Sequence, residues 1–235
     1  MEQVRIQKYL ADCGVCSRRA AEAAIIEGLV TVNGDLAAIG QKIDPETDLV
    51  CYAGKPVKPS GTEKHYIMLN KPRGVVCTAK DEKGRTPVTD LVKPDGVRLY
   101  PVGRLDMDSD GLLLLTDDGD FANRLTHPRH EIPKIYEVTF RQAPTESQVK
   151  TLCSPMELDG YPLLPVGVRA LAPDKLEMTL WEGRNRQIRR MCELAGLKIA
   201  RLSRVAVGEV RLGDLPAGKW RHLTDEEVQY LLKGN

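Results

Sequence analysis

The chain of 235 residues lacks any apolar stretch long enough to form a membrane-spanning helix. Such a helix needs about 18 or more consecutive apolar residues, whereas the hydrophobic residues here, 42% of the chain, are dispersed in short runs. The first ten residues, MEQVRIQKYL, also lack the apolar core of a secretory leader. We therefore expect a globular protein of the cytoplasm, with no membrane partner, whose scattered cysteines stay reduced.

A strong net charge is also missing, because the formal charge is only +1 at pH 7. This argues against nucleic-acid binding through bulk charge, but the distribution of charge is uneven. Residues 181–204 carry seven Lys or Arg side chains against two Glu. Such a local basic segment is typical of a phosphate-binding surface, and a solvated helix face is the alternative on charge alone.

No regular alternation of strands and helices runs along the chain, so we expect an α+β fold rather than a doubly wound parallel sheet. Residues 55–64, KPVKPSGTEK, are rich in Pro, Lys and small residues and lack apolar periodicity, which is typical of a linker. The sequence therefore predicts two domains, a small one with its linker over residues 1–60 and a larger one over residues 61–235.

Local signals predict elements within each domain. In the first, Ser17 is a candidate N-cap of a helix that ends near Gly28, and Asn33-Gly34 predicts a hairpin turn after a strand at 30–32. In the second, apolar patterning and capping boxes predict strands at 66–69, 112–116, 136–140 and 176–180, and helices at 145–153, 185–195 and from 224 onward.

The densest candidate site is the segment GRLDMDSDGLLLLTDDG at residues 103–119. Asp106, Asp108, Asp110 and Gly111 match the start of an EF-hand calcium loop, but such a loop requires a helix on each side. Here a Tyr-Pro-Val-Gly segment precedes the aspartates and a strand-like Leu run follows them, so we expect no metal. From the residues alone, the three aspartates are not distinguishable from one another or from a solvated turn.

Cys13-x-x-Cys16 is a second candidate site, since one such pair is half of a zinc site or a redox motif. No second pair of suitable spacing follows, and no thioredoxin-like pattern surrounds the pair. We interpret these two cysteines as small packing residues.

Residues 14–34, GVCSRRAAEAAIIEGLVTVNG, resemble the S-four RNA-binding domain. The physical chemistry is compatible with this resemblance, because a helix N-terminus presents free N–H groups and a positive dipole end to a phosphate. Arg18 and Arg19 at that position add forked donors and are predicted RNA contacts. An ordinary capped helix with exposed arginines remains the alternative for these residues alone.

The larger domain resembles the pseudouridine synthase family that contains RsuA. Gly103-Arg104-Leu105-Asp106 with the Leu run is similar to the signature that carries the catalytic aspartate of that family. Three further stretches resemble family motifs, and the resemblance extends over nearly the whole chain. These stretches are NKPRG at 70–74, KIYEV at 134–138 and EGRNRQIRRM at 182–191.

The resemblance implies a small α/β RNA-binding domain followed by a catalytic domain with a mixed, mainly antiparallel sheet. It implies that Asp106 is catalytic, either as nucleophile or as base, that Tyr136 stacks on the uracil, and that Arg189 pairs with Asp106. It also implies a flipped target nucleotide and no cofactor. Candidate phosphate contacts in this domain are Lys71, Arg73, Arg104, Arg184, Arg186 and Arg190.

The expected function is the isomerisation of one uridine in ribosomal RNA, with ribosomal RNA or a pre-ribosomal particle as partner and a monomer as the working form. Residues 81–92, DEKGRTPVTDLV, resemble the large-subunit branch of the family, and a small-subunit target is the alternative. A non-enzymatic RNA-binding assembly protein needs no Asp, Tyr and Arg motifs together. A glycosidase usually needs a second acidic residue, for which no separate motif is present.

Overall fold

The computed structural model describes residues 3–58, 63–78, 84–92 and 97–233. The chain forms two compact units, of which the first consists of residues 1–64 with the short segments 96–98 and 117–119, and the second of the remainder. The domain boundary predicted at residues 60 and 61 lies outside the described residues, as does the start of the 81–92 segment.

In its described residues, the first unit contains two helices and six short strands. Its elements are β1 (Val4–Arg5), α1 (Ile6–Asp12), α2 (Arg18–Ile26), β2 (Val30–Val32), β3 (Asp35–Leu36), β4 (Lys42–Ile43), β5 (Val50–Tyr52) and β6 (Lys55–Pro56). Strands β3, β2, β5 and β6 form an antiparallel sheet in that order, and β1 pairs with β4. Apolar side chains of both helices and the sheet, among them Ile6, Leu10, Val30 and Ile43, are completely buried and form its core.

Two local predictions in this unit are confirmed. The Oγ of Ser17 accepts a hydrogen bond of 3.1 Å from the backbone N–H of Ala20, so Ser17 caps α2. Asn33 and Gly34 both adopt positive φ, 53° and 96°, which is the requirement of a type I′ hairpin turn between β2 and β3.

The second unit contains the remaining elements. They are β7 (Tyr66–Lys71), β8 (Tyr100–Val102), β9 (Asp110–Thr116), α3 (Gly119–Thr126), β10 (Lys134–Phe140), α4 (Glu146–Cys153), β11 (Glu157–Leu158), β12 (Tyr161–Pro162), β13 (Gly167–Ala172), β14 (Lys175–Leu180), α5 (Gln187–Leu194), β15 (Ile199–Val207), β16 (Val210–Arg211), β17 (Trp220–His222) and α6 (Asp225–Lys233), with short 3-10 helices at Val88–Asp90 and Pro128–His130. Among the residues described, none of the helices combines the length and apolarity that crossing a membrane would require.

Within the described ranges, nine strands of this unit form one sheet. Its order is β13-β14-β10-β15-β9-β7-β17, with β16 paired to β15 and β8 paired to β9. The pairs are antiparallel except for β15 with β9, which run parallel. The predicted α+β class with a mixed, mainly antiparallel sheet is therefore confirmed.

The parallel contact between β9 and β15 depends on a glycine. Gly111 has a φ of 106°, and a Cβ atom added there would lie 2.2 Å from the carbonyl oxygen of Arg204. A side chain at this position would separate the two backbones. Gly111 therefore permits the close approach that joins β15 to the start of β9.

Helices cover two apolar regions of the sheet. Val138, Met178 and Leu180 of the sheet pack with Ile188 and Met191 of α5 in one cluster. A second cluster joins apolar residues of β7 and β9, such as Leu112, to α3 and α6. The capping box predicted at Thr145 is confirmed at the start of α4. The packing of Ile188 and Met191 in the first of these clusters fixes α5 against the sheet. Candidate functional residues lie at the N-terminal end of this helix.

Candidate active site

The candidate catalytic loop, residues 103–109, connects β8 to β9 and carries Asp106. The N–H of Ser109 donates to the carbonyl oxygen of Asp106 at 3.1 Å, which closes a tight turn. The N–H of Gly74 donates to the carbonyl oxygen of Met107 at 2.8 Å, and the N–H of Leu105 donates to the Sγ of Cys77 at 3.3 Å. The Asp106 side chain, 31% exposed, is thus presented from a loop that is held at several backbone positions.

Lys71 supports this loop from inside the protein. Its side chain is completely buried, and its Nζ donates to the carbonyl oxygens of Pro72, Asp106 and Ser109 at 3.0, 3.2 and 2.8 Å. Burial lowers the pKa of Lys71, against the opposing influence of nearby acidic groups. The prediction that Lys71 contacts RNA phosphate is wrong, because its ammonium group faces loop carbonyls and not the solvent.

Two arginines of the α5 region face the Asp106 carboxylate. The Nη1 of Arg186 lies 3.4 Å from Oδ2 of Asp106, and the Nε of Arg189 lies 3.7 Å from the same atom. Arg186 is the N-cap of α5 and has a φ of 50°, which delays the start of the helix predicted from residue 185. Sequence analysis anticipated Arg189 as a partner of Asp106 but not the second cation.

Arg189 also binds the backbone and side chains of the catalytic loop. Its Nη2 donates to the carbonyl oxygen of Asp108 and to Oγ of Ser109, both at 3.0 Å. Its Nε is buried and has no hydrogen-bond partner among the described residues. Burial lowers the pKa of Arg189, although Asp108 and Asp106 oppose this effect.

These groups line a pocket with an apolar floor and a polar rim. Tyr136 enters it from β10, beside Leu180, Ile188 and Leu202. The polar side comprises Arg104, Asp106, Ser109, Glu182, Arg184, Arg186, Gln187 and Arg189. A flat base fits between apolar walls while its sugar faces a carboxylate. The apolar wall residues were not predicted, because Leu and Ile in a strand or helix carry no chemical signal.

Glu182 is a second carboxylate in the pocket, and its oxygens are engaged in hydrogen bonds. It accepts hydrogen bonds from the backbone N–H of Leu164 at 2.9 Å, from Nε of Arg184 at 3.1 Å and from Nε2 of Gln187 at 3.3 Å. These contacts fix the position of Glu182 and hold Arg184 and Gln187 beside it. The sequence motifs did not single out Glu182 as a pocket residue.

The segment around Asp106 does not have the helix-flanked architecture of an EF-hand calcium loop. The flanking elements are strands β8 and β9, and each carboxylate faces arginine side chains. Although burial acts to raise the pKa of Asp108, hydrogen bonding from Arg186 and the charge of Arg189 lower it overall. Among the described residues, no cluster of His, Cys, Asp and Glu is arranged to hold a metal ion.

Asp110 differs from the two preceding aspartates because it is almost buried. It accepts hydrogen bonds from Nε of Arg73 at 3.2 Å and from Nε of Arg201 at 3.1 Å. Burial acts to raise the pKa of Asp110, but hydrogen bonds from Arg201 and Ser203 and the charges of Arg201 and Arg73 lower it overall. Asp110 is thus a structural ion-pair centre at the start of β9.

The other predicted RNA contacts occupy different environments. Arg104 is exposed at the pocket, and Arg73 is exposed while bound to Asp110. Arg184 lies with its guanidinium carbon 5.0 Å from the ring centre of Tyr161, and Arg190 forms two hydrogen bonds to Asp159 at 2.6 and 2.8 Å. These side chains offer positive charge around the pocket, with orientations set by neighbouring groups.

In the first unit, the predicted RNA contacts are accessible. Arg18 and Arg19 are exposed in the first turn of α2, directly after its N-cap. Nearby Cys13 and Cys16 are free thiols, and burial raises the pKa of both. A raised pKa disfavours the thiolate that metal binding and disulfide exchange require.

Comparisons with known proteins agree with this geometry. Residues 65–194 match the RNA pseudouridylate synthase family, and residues 4–50 match the S4 domain. The chain is 41% identical to the ribosomal large subunit pseudouridine synthase B of Bacillus subtilis, covering 97% of this chain and 95% of that protein. It is 38% identical to the dual-specificity RNA pseudouridine synthase RluF of Escherichia coli, covering 98% and 79%.

A solved structure supports the same relationship. A crystal structure of a pseudouridylate synthase superposes with a TM-score of 0.71 at 31% identity, covering 97% of this chain and 99% of that one. An uncharacterized RNA pseudouridine synthase of Aquifex aeolicus is 40% identical over 99% of this chain. The resemblance inferred from the motifs is confirmed, and this chain belongs to the RNA pseudouridylate synthase family and carries an S4 domain.

Proposed function

We propose that this pseudouridine synthase isomerises a specific uridine of large-subunit ribosomal RNA. The observation that carries the proposal is the pocket in which Asp106, Tyr136 and Arg189 meet. The large-subunit target is supported by the Bacillus subtilis relative, a ribosomal large subunit pseudouridine synthase, and by the resemblance of residues 81–92 to the large-subunit branch. A small-subunit uridine is the alternative target.

The reaction is an isomerisation, so it needs no oxidant and no group donor. The bond from N1 of uracil to C1′ of the ribose breaks, the base turns, and C5 bonds to C1′. N1 takes up one proton and C5 releases one, so atoms and charges balance. A carboxylate serves this chemistry either by attacking C1′ or by removing a proton from the ribose, and both routes require Asp106 ionised next to the sugar.

The remaining pocket residues suit binding and orientation. Tyr136 offers a ring on which the uracil stacks while it turns, and the apolar floor keeps water away from the base. Arg186 and Arg189 orient the Asp106 carboxylate and stabilise charge that develops near it. Because the sugar must reach a carboxylate inside a pocket, the target nucleotide has to leave its helical stack.

The RNA partner extends beyond the pocket. We propose that Arg18 and Arg19 at the N-terminus of α2 bind backbone phosphate, in keeping with the S4 domain match, and that the substrate is free ribosomal RNA or a pre-ribosomal particle. We further propose that a monomer is active.

The test is a pair of variants in the catalytic loop. Asp106→Asn replaces the carboxylate by an amide of the same shape, and we expect pseudouridine formation to fall by at least a thousandfold with RNA affinity nearly unchanged. Asp108→Asn is the matched control, since Asp108 is more exposed, and it should retain most activity. Near-normal turnover by Asp106→Asn would refute the catalytic assignment.

The target is tested separately by mapping pseudouridines in both ribosomal RNAs from cells that lack the protein. We expect one missing site, in the large subunit. If the missing pseudouridine lies in the small-subunit RNA instead, the large-subunit target is wrong and the alternative target is correct. Unchanged modification of both RNAs, together with preserved binding, would favour a non-enzymatic assembly function.

A further inference from the structure

We propose that Tyr161 and Arg184 form a stacking platform for an RNA base that neighbours the target uridine, an inference that rests on the proposed function. Tyr161 is an aromatic side chain that remains 59% exposed, next to the pocket and not in the core. Large exposed aromatic rings beside a basic pocket are typical of single-stranded nucleic-acid binding, because every base has a flat face that can stack.

The platform belongs to the rim of the pocket. Arg184 lines the pocket together with Asp106 and Glu182, and its guanidinium carbon lies 5.0 Å from the ring centre of Tyr161. At this distance the cation and the ring attract one another. Arg184 covers one side of the ring, so the exposure of Tyr161 leaves the rest of the ring accessible to a base.

The chain holds this tyrosine in a tight hairpin. Strands β11 and β12 pair through Leu158 and Tyr161, which leaves only Asp159 and Gly160 in the turn. Both turn residues have positive φ, 54° and 79°, as a two-residue type I′ turn requires. Tyr161 therefore follows directly after a turn with little conformational freedom.

Two further contacts fasten the hairpin region to the pocket side of α5. Arg190 of α5 binds the carboxylate of Asp159 in the turn through both of its terminal nitrogens, at 2.8 and 2.6 Å. Glu182 accepts from the backbone of Leu164, just after β12, and from Arg184. Because these contacts fix the tyrosine before RNA arrives, little conformational entropy is lost when a base stacks on it.

The chemistry of the platform specifies its ligand. A planar, electron-rich ring next to a guanidinium binds a nucleobase through stacking and attracts the adjoining phosphate through charge. Stacking within a continuous duplex covers the faces of each base, so the ligand is an unpaired and unstacked base beside the flipped uridine. A platform of this kind holds the strand in the distorted form that the pocket needs and discriminates little between bases.

The experiment uses the full-length protein and an RNA fragment with 2-aminopurine on either side of the target uridine, since the fluorescence of this base falls when it stacks. Asp106→Asn serves as background so that the complex is observed without turnover. We expect quenching at one of the two positions on binding. In this background, Tyr161→Phe should retain the quenching, and Tyr161→Leu should lose it and weaken affinity about tenfold.

Each outcome has a defined meaning. Tyr161→Phe and Tyr161→Leu are matched in apolar character and differ in the ring, and the exposed position should leave the unfolding midpoint nearly unchanged in both. Quenching that survives Tyr161→Leu, or that is absent with tightly bound RNA, would overturn the platform while leaving the proposed function intact. Failure of the protein to bind or modify any ribosomal RNA would instead refute the proposed function.

Discussion

Replacing Arg189 tests whether the cation next to Asp106 acts in the chemical step. Its Nε lies 3.7 Å from the Asp106 carboxylate, where two unit charges interact by about 4 kcal/mol at an effective dielectric constant near 20. Asp106 is 31% exposed, and Arg186 stays 3.4 Å away as a second cation, so we reduce the value to about 2 kcal/mol.

Arg189→Met removes more than this ion pair. The hydrogen bonds from Nη2 to the Asp108 carbonyl and to Ser109 also disappear, and hydrogen bonds from charged donors contribute about 1.5 kcal/mol or more each. Losses in one network do not add fully, so we expect a decrease of about a thousandfold in the single-turnover rate. Arg189→Lys keeps a point charge without the planar fork and should retain measurable activity.

The assay is the single-turnover rate at saturating enzyme, with RNA affinity measured in parallel. Arg190→Met is the control because it removes the same charge from the next position of α5, where the side chain binds Asp159 instead of the catalytic loop. It should weaken RNA binding and leave the saturated rate nearly unchanged. Equal effects of Arg189→Met and Arg190→Met, both on affinity alone, would reduce Arg189 to a phosphate contact.

Two further predictions concern stability. Burial and the charge of Arg204 lower the pKa of Lys134 from 10.5 to about 8. The folded protein therefore holds a disfavoured ammonium group below pH 8, and this cost, about 2 to 3 kcal/mol, should be relieved as the pH rises towards 10.5. The free energy of unfolding of Lys134→Met should accordingly exceed that of the wild type at pH 7, and the difference should shrink by pH 10. A difference that does not change with pH would contradict the argument that burial destabilises the charged lysine. Gly111→Ala should destabilise the protein by more than about 3 kcal/mol in chemical denaturation, because the new Cβ would lie 2.2 Å from a backbone oxygen. Gly213 also has positive φ but open space around it, so the control Gly213→Ala should lower the free energy of unfolding by only about 1 kcal/mol. Similar losses of stability in both variants would refute the close-contact argument.

The features that the sequence predicts well are those that depend on neighbouring residues. Ser17 caps α2 and Thr145 caps α4 through groups three residues away, so a short pattern contains the whole interaction. Asn33-Gly34 likewise determines its own turn. These signals locate helix starts and hairpins without knowledge of the tertiary fold.

Predictions from sequence failed where charged side chains are buried by distant partners. Strand β15 was not predicted, because it begins inside the basic segment 181–204 and Arg201 and Arg204 interrupt its apolar pattern. Arg204 is in fact buried and donates from Nε to the carbonyl oxygen of Leu112 at 2.7 Å, 92 positions away. The sequence likewise predicted a phosphate contact for Lys71, whose side chain is completely buried. Composition predicts exposure for such residues, and only the tertiary structure supplies the carbonyl oxygens that make burial tolerable.

In the candidate site, too, some residues are predicted from local motifs and others are not. Resemblance to the family motifs predicts Asp106, Tyr136 and Arg189 as site residues, whereas the residues alone do not distinguish Asp106 from Asp108 and Asp110. Leu180 and Leu202 complete the pocket from strands β14 and β15, and no property of a leucine separates a pocket wall from any other core position. Arg186 is the second cation at Asp106, and its position depends on the left-handed backbone that precedes α5. The local sequence does not predict this backbone conformation.

The position of β15 in the sheet has a consequence for how the protein is made. This strand lies between β10 and β9, although it follows both by many residues in the chain. During synthesis, β10 and the first residues of β9 leave the ribosome with an unpaired edge, which is a site for aggregation or chaperone binding. Strand β9 gains its neighbour β15 only after residues 203 and 204 have emerged, and β7 receives its outer neighbour β17 later still. A chain released before β15 would carry Asp106, Tyr136 and Arg189 without the strand that joins β9 to β10.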